Sequence, residues 1–289
     1  MSSNYRKVSP VGRAAFERAV LGLVQGPGVV PTPDPPDRGG DPAVVETVAG
    51  DGSLADVLAE RGRLSEPECR GVGSRIAAAL AEIHERGMVH GDVKPANIVM
   101  APDGDLWIAD FDAAGPVSSP RTRGTPQRLV NHSTLDYSDD IVGVALVVAE
   151  CATGIVIDPT VEWSAPALAL LGCSADLAGD LAAVIADPTD LRRVAVLLGS
   201  PEDRLPSAAE VRTGNDPTPT IDFEPTVIAG LDPLPSTTEV LNQPPEPAGW
   251  QDSIQRTLRE WTRRLRNKQS ELTALVQKRR RGPSEVQTG

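Results

Sequence analysis

The sequence predicts an α+β fold of two unequal lobes, a reduced small lobe built on strands and a larger, mainly helical one. Three observations carry this. Apolar residues recur at helical spacing through much of 49–214. Two short strand-like runs are separated by one tight-turn signal, Asp103-Gly104. The composition then breaks abruptly at residue 215. The expected organisation is a small lobe over 1–48, a large lobe over 49–214, a disordered linker over 215–248, a basic amphipathic helix over 249–281 and a disordered tail over 282–289.

The elements follow in order. Phe16, Val20 and Leu23 predict a helix over 14–24, which ends at Gln25 to Gly28. Val29-Val30 begins an extended segment, residues 31–42 read as a Pro/Asp/Gly loop, and 43–48 (AVVETV) has strand composition. Ser53 is placed to cap a helix over 54–61. A long amphipathic helix is expected over 67–86, with Ile76, Leu80 and Ile83 on one face. Asn97–Met100 and Leu106–Ile108 read as the two arms of a hairpin. Residues 113–135, polar and rich in Ser, Thr, Pro and Arg, predict a long loop. Helices are expected near 139–152, 165–171, 175–186 and 189–198, and a last short one from Ser207 to Thr213.

Charge narrows the function classes. The formal net charge is -12, which argues against a nucleic-acid binder, because phosphate contacts need a Lys/Arg excess. The balance is uneven: residues 256–281 hold ten Lys/Arg and two Glu. The three cysteines, Cys69, Cys151 and Cys173, are widely spaced and fit a reducing cytoplasm. No signal-peptide pattern is read at the N-terminus. The apolar run Ile141 to Ala149 is too short to span a bilayer and reads as a buried core helix.

Chemistry concentrates between residues 88 and 112. Phosphoryl transfer asks for positioning, divalent metal on the phosphates and a carboxylate to orient the attacking hydroxyl. Asp92 is placed to accept the hydroxyl proton, and Lys94 to neutralise charge on the transferring group. Asn97 and Asp110 supply oxygens suited to Mg²⁺, and the hairpin between them would bring both to one cleft.

The segment MVHGDVKPANIVM (88–100) resembles the catalytic loop of the serine/threonine protein kinase family. Asp110-Phe111-Asp112 resembles that family's D-F-G segment with its Gly replaced. Gly124-Thr125-Pro126 resembles the end of an activation segment, Asp140 falls where the buried helix begins, and Arg204 to Ser207 resembles a late D-R-P-S element. The likeness covers residues 7–213. It implies a two-lobed kinase-like fold, ATP and Mg²⁺ (or Mn²⁺) as cofactors, and a protein substrate. Within it His90 is a packed structural residue. Lys7 is the best candidate for the nucleotide-clamping lysine, and the backbone from Glu46 to Val48 would meet adenine. Lys94 and Gly124-Thr125-Pro126 favour a protein kinase over aminoglycoside-type phosphotransferases, which resemble H-G-D-x-x-x-x-N as well.

The pattern also departs from the family. Six residues precede Lys7, so no Gly-rich loop is expected, unless coding sequence upstream of Met1 restores one. The plain alternative for Lys7 is a solvated terminal lysine. The lysine's glutamate partner would fall near Ala19, and Glu17 lies about 160° away around a helix. Asp112 brings a side chain and a charge beside Asp110. Gly91 leaves no arginine in the loop to pair with an activation-segment phosphate, so activation by that route is not expected. The A-P-E triplet aligns with Val130-Asn131-His132, which would leave Arg204 without its glutamate. Two readings stay open: an active serine/threonine kinase, or a pseudokinase working as a regulatory binding module.

Residues 215–248 contain eight Pro, six Asp/Glu and no Lys or Arg, too little apolar area to offset chain entropy. Thr218, Thr237 and Thr238 each have an apolar residue three positions on, which resembles what phosphothreonine-binding forkhead-associated domains recognise. From Gln251, residues Ile254, Leu258, Trp261, Leu265, Leu272 and Leu275 follow 4-3 spacing. That helix is read as a site for a coiled-coil partner or as a basic face for an anionic membrane, which would make a cytoplasmic protein peripheral at the membrane.

Overall fold

The computed structural model describes residues 4–33, 41–122, 124, 133–157 and 163–199. Contacts divide the chain into two units, Met1–Gly214 and Asn215–Gly289. Every described residue belongs to the first. The expected linker, terminal helix and tail therefore lie outside the described residues, as do Thr125, Pro126, Val130 to His132 and Arg204 to Ser207.

The first elements form a small layer. Strand β1 (Asn4–Val8) pairs antiparallel with β2 (Val44–Val48), Lys7 opposite Val45 and Arg6 opposite Glu46. Helix α1 (Val11–Val24) follows β1 after only Ser9 and Pro10. It begins three residues before the expected start, because Pro10 at the N-cap supplies a fixed φ and its carbonyl accepts from Arg13 and Ala14. Phe16, Val20, Leu21 and Val24 bury one stripe. The strand β1 was not foreseen. It is a short edge strand with Tyr5 and Val8 exposed, so its residues carry no alternating core pattern.

The extended pair Val29-Val30 joins the two layers. Val30 donates to Ile108, and Ile108 donates to Gly28. Helix α2 (Leu54–Arg61) starts in a capping box between Ser53 and Asp56. Helix α3 (Glu66–Glu85) buries Ile76, Leu80 and Ile83 as the spacing predicts. Strands β4 (Ile98–Met100) and β5 (Leu106–Ile108) form the hairpin about Asp103-Gly104. Two further strands were not foreseen: β3 (Met88–Val89) pairs with β6 (Gly115–Pro116). Each is two residues long, below what a sequence pattern can signal.

Helix α4 (Tyr137–Thr153) is the axis of the larger layer. Its run from Val144 to Ala152 is buried, as a core helix should be. It packs against α3 and α6 (Ala175–Ala186), while α7 (Leu191–Leu198) lies on α3 and α5 (Ala165–Leu170) on α6. Among the described residues no helix is long and apolar enough to cross a membrane. The three cysteines are buried thiols. Burial pushes Cys69 up to about 12 and Cys151 well above its usual range, so neither is poised as a nucleophile.

Two glycines test this packing in opposite senses. At Gly143 on α4, a Cβ would sit 2.8 Å from the Cβ of Val93 on the loop beside it. At Gly179 on α6, nothing lies within 4 Å. Gly143→Ala should destabilise the fold by about 1–3 kcal/mol through overpacking. Gly179→Ala should stabilise it by about 0.4–1 kcal/mol. Urea unfolding of both variants measures the two signs.

Candidate active site

The loop from His90 to Asn97 is hung from one buried carboxylate. Asp140, fully buried in the first turn of α4, accepts the backbone N–H groups of His90 and Gly91, each at 2.8 Å. His84 of α3 approaches the same carboxylate at 2.8 Å through Nε2. Burial alone would push the Asp140 carboxyl up. The His84 hydrogen bond and the Gly91 N–H hold it below the ordinary range.

His90 is buried and ties the loop to the hairpin. Its Nδ1 accepts from the Asp92 N–H at 3.3 Å and its Nε2 donates to the Ala109 carbonyl at 3.1 Å, which assigns the neutral Nε2–H tautomer. Its ring meets Phe111 edge to face, with centroids 4.9 Å apart.

The structure brings Asp92, Lys94 and Asn97 together. Lys94 Nζ donates to Asp92 Oδ2 at 2.7 Å. Asn97 Nδ2 donates to the Asp92 carbonyl at 2.9 Å and to its Oδ2 at 3.3 Å. Across the hairpin, Ala109 donates its N–H to Asn97 O at 2.9 Å, so the chain reaches Asp110 one residue beyond Asn97's partner.

Lys7 belongs to a second cluster, not to solvent. Its Nζ lies 2.5 Å from Asp110 Oδ1, 3.1 Å from Glu17 Oε2 and 3.4 Å from Asp112 Oδ2. The solvated-lysine reading is therefore corrected. Burial alone would lower its pKa, but Asp110, then Asp112 and Glu17, raise it above the usual lysine value. The position counted for a glutamate partner is corrected too. Residue 19 does not face Lys7; Glu17 does, and it is 2% exposed. The two-residue connection into α1 resets the helix phase. Glu17 shares the buried stripe of Val20, Leu21 and Val24, and a charge on an apolar stripe was the signal available in the sequence.

Asp110 has φ 64 and ψ 72, a left-handed conformation for a residue with a side chain. Its neighbours Phe111–Ala113 form a 3-10 turn, with Phe111 buried under α1. Asp112 is not among the residues with positive φ, so this turn does not demand the glycine that the family pattern carries. Glu46 and Val48 lie on β2, opposite Arg6 and Asn4. Val48 spends its N–H on Pro31 O at 2.8 Å.

Among the described residues, no group of three or more His, Cys, Asp or Glu side chains is arranged to hold a metal ion by itself. The donors present still suit Mg²⁺ shared with phosphates, which needs only one or two protein oxygens. Asn97 spends its amide N–H on Asp92 and so keeps its side-chain oxygen for a cation, and Asp110 has Oδ2 beyond the oxygen that Lys7 takes.

Residues 4–158, just over half of the chain, match the family model of the protein kinase domain. The chain is 32% identical over 165 residues to 3-phosphoinositide-dependent protein kinase 1 of Arabidopsis thaliana, covering 55% of this chain and 31% of that protein. It is 30% identical over 167 residues to serine/threonine-protein kinase PknH of Mycobacterium tuberculosis, covering 53% and 26%. With PknL of the same organism it shares 35% over 121 residues, covering 38% and 30%. The chain thus spans less than a third of the length of these relatives.

The Lys7 cluster makes a pH prediction. Burial pushes Glu17 up from 4.5 to about 6, with Lys7 opposing only in part. Between those values the folded state keeps a proton that the unfolded chain releases. Stability therefore falls as pH rises through that window, by about 2 kcal/mol at about 1.4 kcal/mol per unit. Glu17→Gln should flatten the slope. Urea unfolding of both proteins from pH 4.5 to 6.5 measures it; an unchanged slope in the variant would assign the titration to another group.

Proposed function

We propose that this chain, which belongs to the protein kinase family, transfers the γ-phosphoryl group of ATP to a serine or threonine hydroxyl of a protein. The observation that carries the reading is the joined set Asp92, Lys94 and Asn97, one hairpin away from Asp110 and Lys7. No other described cluster offers a carboxylate, an ammonium and a metal-suited amide on one short loop.

The residues divide the work as follows. Asp92 is oriented by the Asn97 amide and accepts the hydroxyl proton, which fixes the nucleophile's direction. Lys94, 2.7 Å from Asp92, brings an ammonium next to the catalytic carboxylate and neutralises charge on the transferring phosphoryl group. Lys7 grips the phosphates of ATP and is held for that by Glu17. Asn97 and Asp110 hold Mg²⁺ (or Mn²⁺), which supplies charge neutralisation on the phosphates when bound. The protein substrate is a proposal from the family's chemistry.

A second reading has its own support. Glu17, Asp110 and Asp112 set three carboxylates against the single ammonium of Lys7. A site of that sign repels a metal-free triphosphate, and the same fold would then serve as a regulatory binding module. A small-molecule phosphotransferase is the third reading, from the H-G-D form of the loop.

Radiolabelled ATP with Mg²⁺ or Mn²⁺ separates them. The wild-type chain should label itself or a generic protein substrate, and Asp92→Asn should lower that rate by about 10²–10⁴-fold. Labelling indifferent to Asp92→Asn, or none at all, would favour the binding module. Label appearing on an added metabolite and on no protein would favour the third reading.

A further inference from the structure

We infer that Arg121 is a built-in positioning residue, which holds the Asp92 loop in its working shape without a phosphate on the segment that follows Phe111. The inference rests on the kinase reading of the site and adds to it a residue from outside the family motifs.

The observations converge on one peptide unit. Gly91 gives its N–H to Asp140 at 2.8 Å, and its carbonyl accepts from Arg121 Nη1 at 3.0 Å. Arg121 Nη2 lies 2.5 Å from Asp139 Oδ2, and this guanidinium side chain is 6% exposed. Asp139 and Asp140 are consecutive in the first turn of α4. The residue immediately before Asp92 is therefore gripped on both faces by adjacent carboxylates, directly on one side and through Arg121 on the other. Asp139 also accepts the Asp136 N–H at 2.8 Å, which closes the capping box of α4 and fixes the carboxylate.

The backbone of Arg121 is fixed as well. Ser118 donates to Leu135, Leu135 to Ser119, and Arg121 to Ser133, so the two ends of the intervening segment are laced together. Gly91 itself has no room for a side chain. Its φ is +76, and a Cβ there would lie 2.7 Å from Leu135 Cδ2 and 3.2 Å from the Ala113 carbonyl. Arg121 Nη1 is 3.6 Å from that Cβ position. Arg121 instead brings its guanidinium from another segment to the Gly91 carbonyl. It is neutralised there by Asp139, because a buried guanidinium with no counter-charge would cost several kcal/mol. No phosphate is needed to complete the arrangement.

The test uses the full chain, phosphatase-treated and untreated, with Arg121→Ala and Arg121→Lys. Two quantities are read: protein-labelling turnover, and amide hydrogen exchange at Gly91 and Asp92, with α6 as internal reference. Phosphatase treatment should leave kcat within about twofold, while Arg121→Ala lowers kcat about tenfold or more with KM for ATP within about twofold. The Gly91 and Asp92 amides should exchange about tenfold faster in Arg121→Ala while α6 keeps its protection. Arg121→Lys, which keeps the charge beside Asp139 but loses the fork to Gly91, should recover part of both. If Arg121→Ala fails to fold, the Lys variant alone decides by the same two readings. Wild-type exchange at Gly91 in the variants, or activity lost on phosphatase treatment, would overturn the inference. If Asp92-dependent transfer is absent in the wild type, the kinase reading falls and the exchange comparison still decides the clamp.

Discussion

One buried carboxylate organises the larger layer. Asp140 sits where no water compensates it, and it is satisfied by two backbone N–H groups of the reactive loop and by His84. A buried anion is tolerated only when such partners surround it. The converse constraint is what matters for the site: the loop must take a shape that offers both N–H groups to one point. That shape turns Gly91 into the left-handed region and presents Asp92 beyond it. Val93 then packs against α4 at Gly143, where only a missing Cβ leaves room. The depressed pKa of Asp140 keeps this anchor charged through the neutral range, and its contribution is lost only as pH falls through that lowered value.

The smaller layer is governed by charge imbalance. One ammonium serves three carboxylates, of which Glu17 is the most buried. Lys7 cannot compensate all of them, and the cost appears where solvation is poorest, as the raised pKa of Glu17. Asp110 bears a different strain, a left-handed backbone, at the point where the hairpin hands over to the 3-10 turn. The two layers meet through main-chain bonds of the Gly28 to Val30 segment: Val30 donates to Ile108, and Ile108 donates to Gly28.

What the sequence made legible was local. The loop 90–97, the turn at Asp103-Gly104, the caps at Ser53 and the apolar stripe of α3 are written in consecutive residues, and the structure has them. What it concealed was relational. β1 is five residues of mixed polarity, and its strand character exists only in its pairing with β2. Glu17 was misplaced because a spacing borrowed from longer connections was applied to a helix that starts after two residues. Arg121 lay in a stretch read as a polar loop, and nothing near it in sequence announces that Gly91 and Asp139, 30 and 18 residues away, would close on its side chain.

The junction at Ser9 and Pro10 has a mechanical consequence. Ser9 is tied by its N–H to Ala43, Pro10 has a locked φ, and Arg18 of α1 reaches back to Val44 O at 2.5 Å. Strand and helix are thus welded at an elbow with almost no slack. Lys7 on the strand and Glu17 on the helix are therefore two arms of one rigid piece, and their 3.1 Å separation is set within it. The contact of Lys7 with Asp110 is different in kind, because it reaches from that piece to the hairpin.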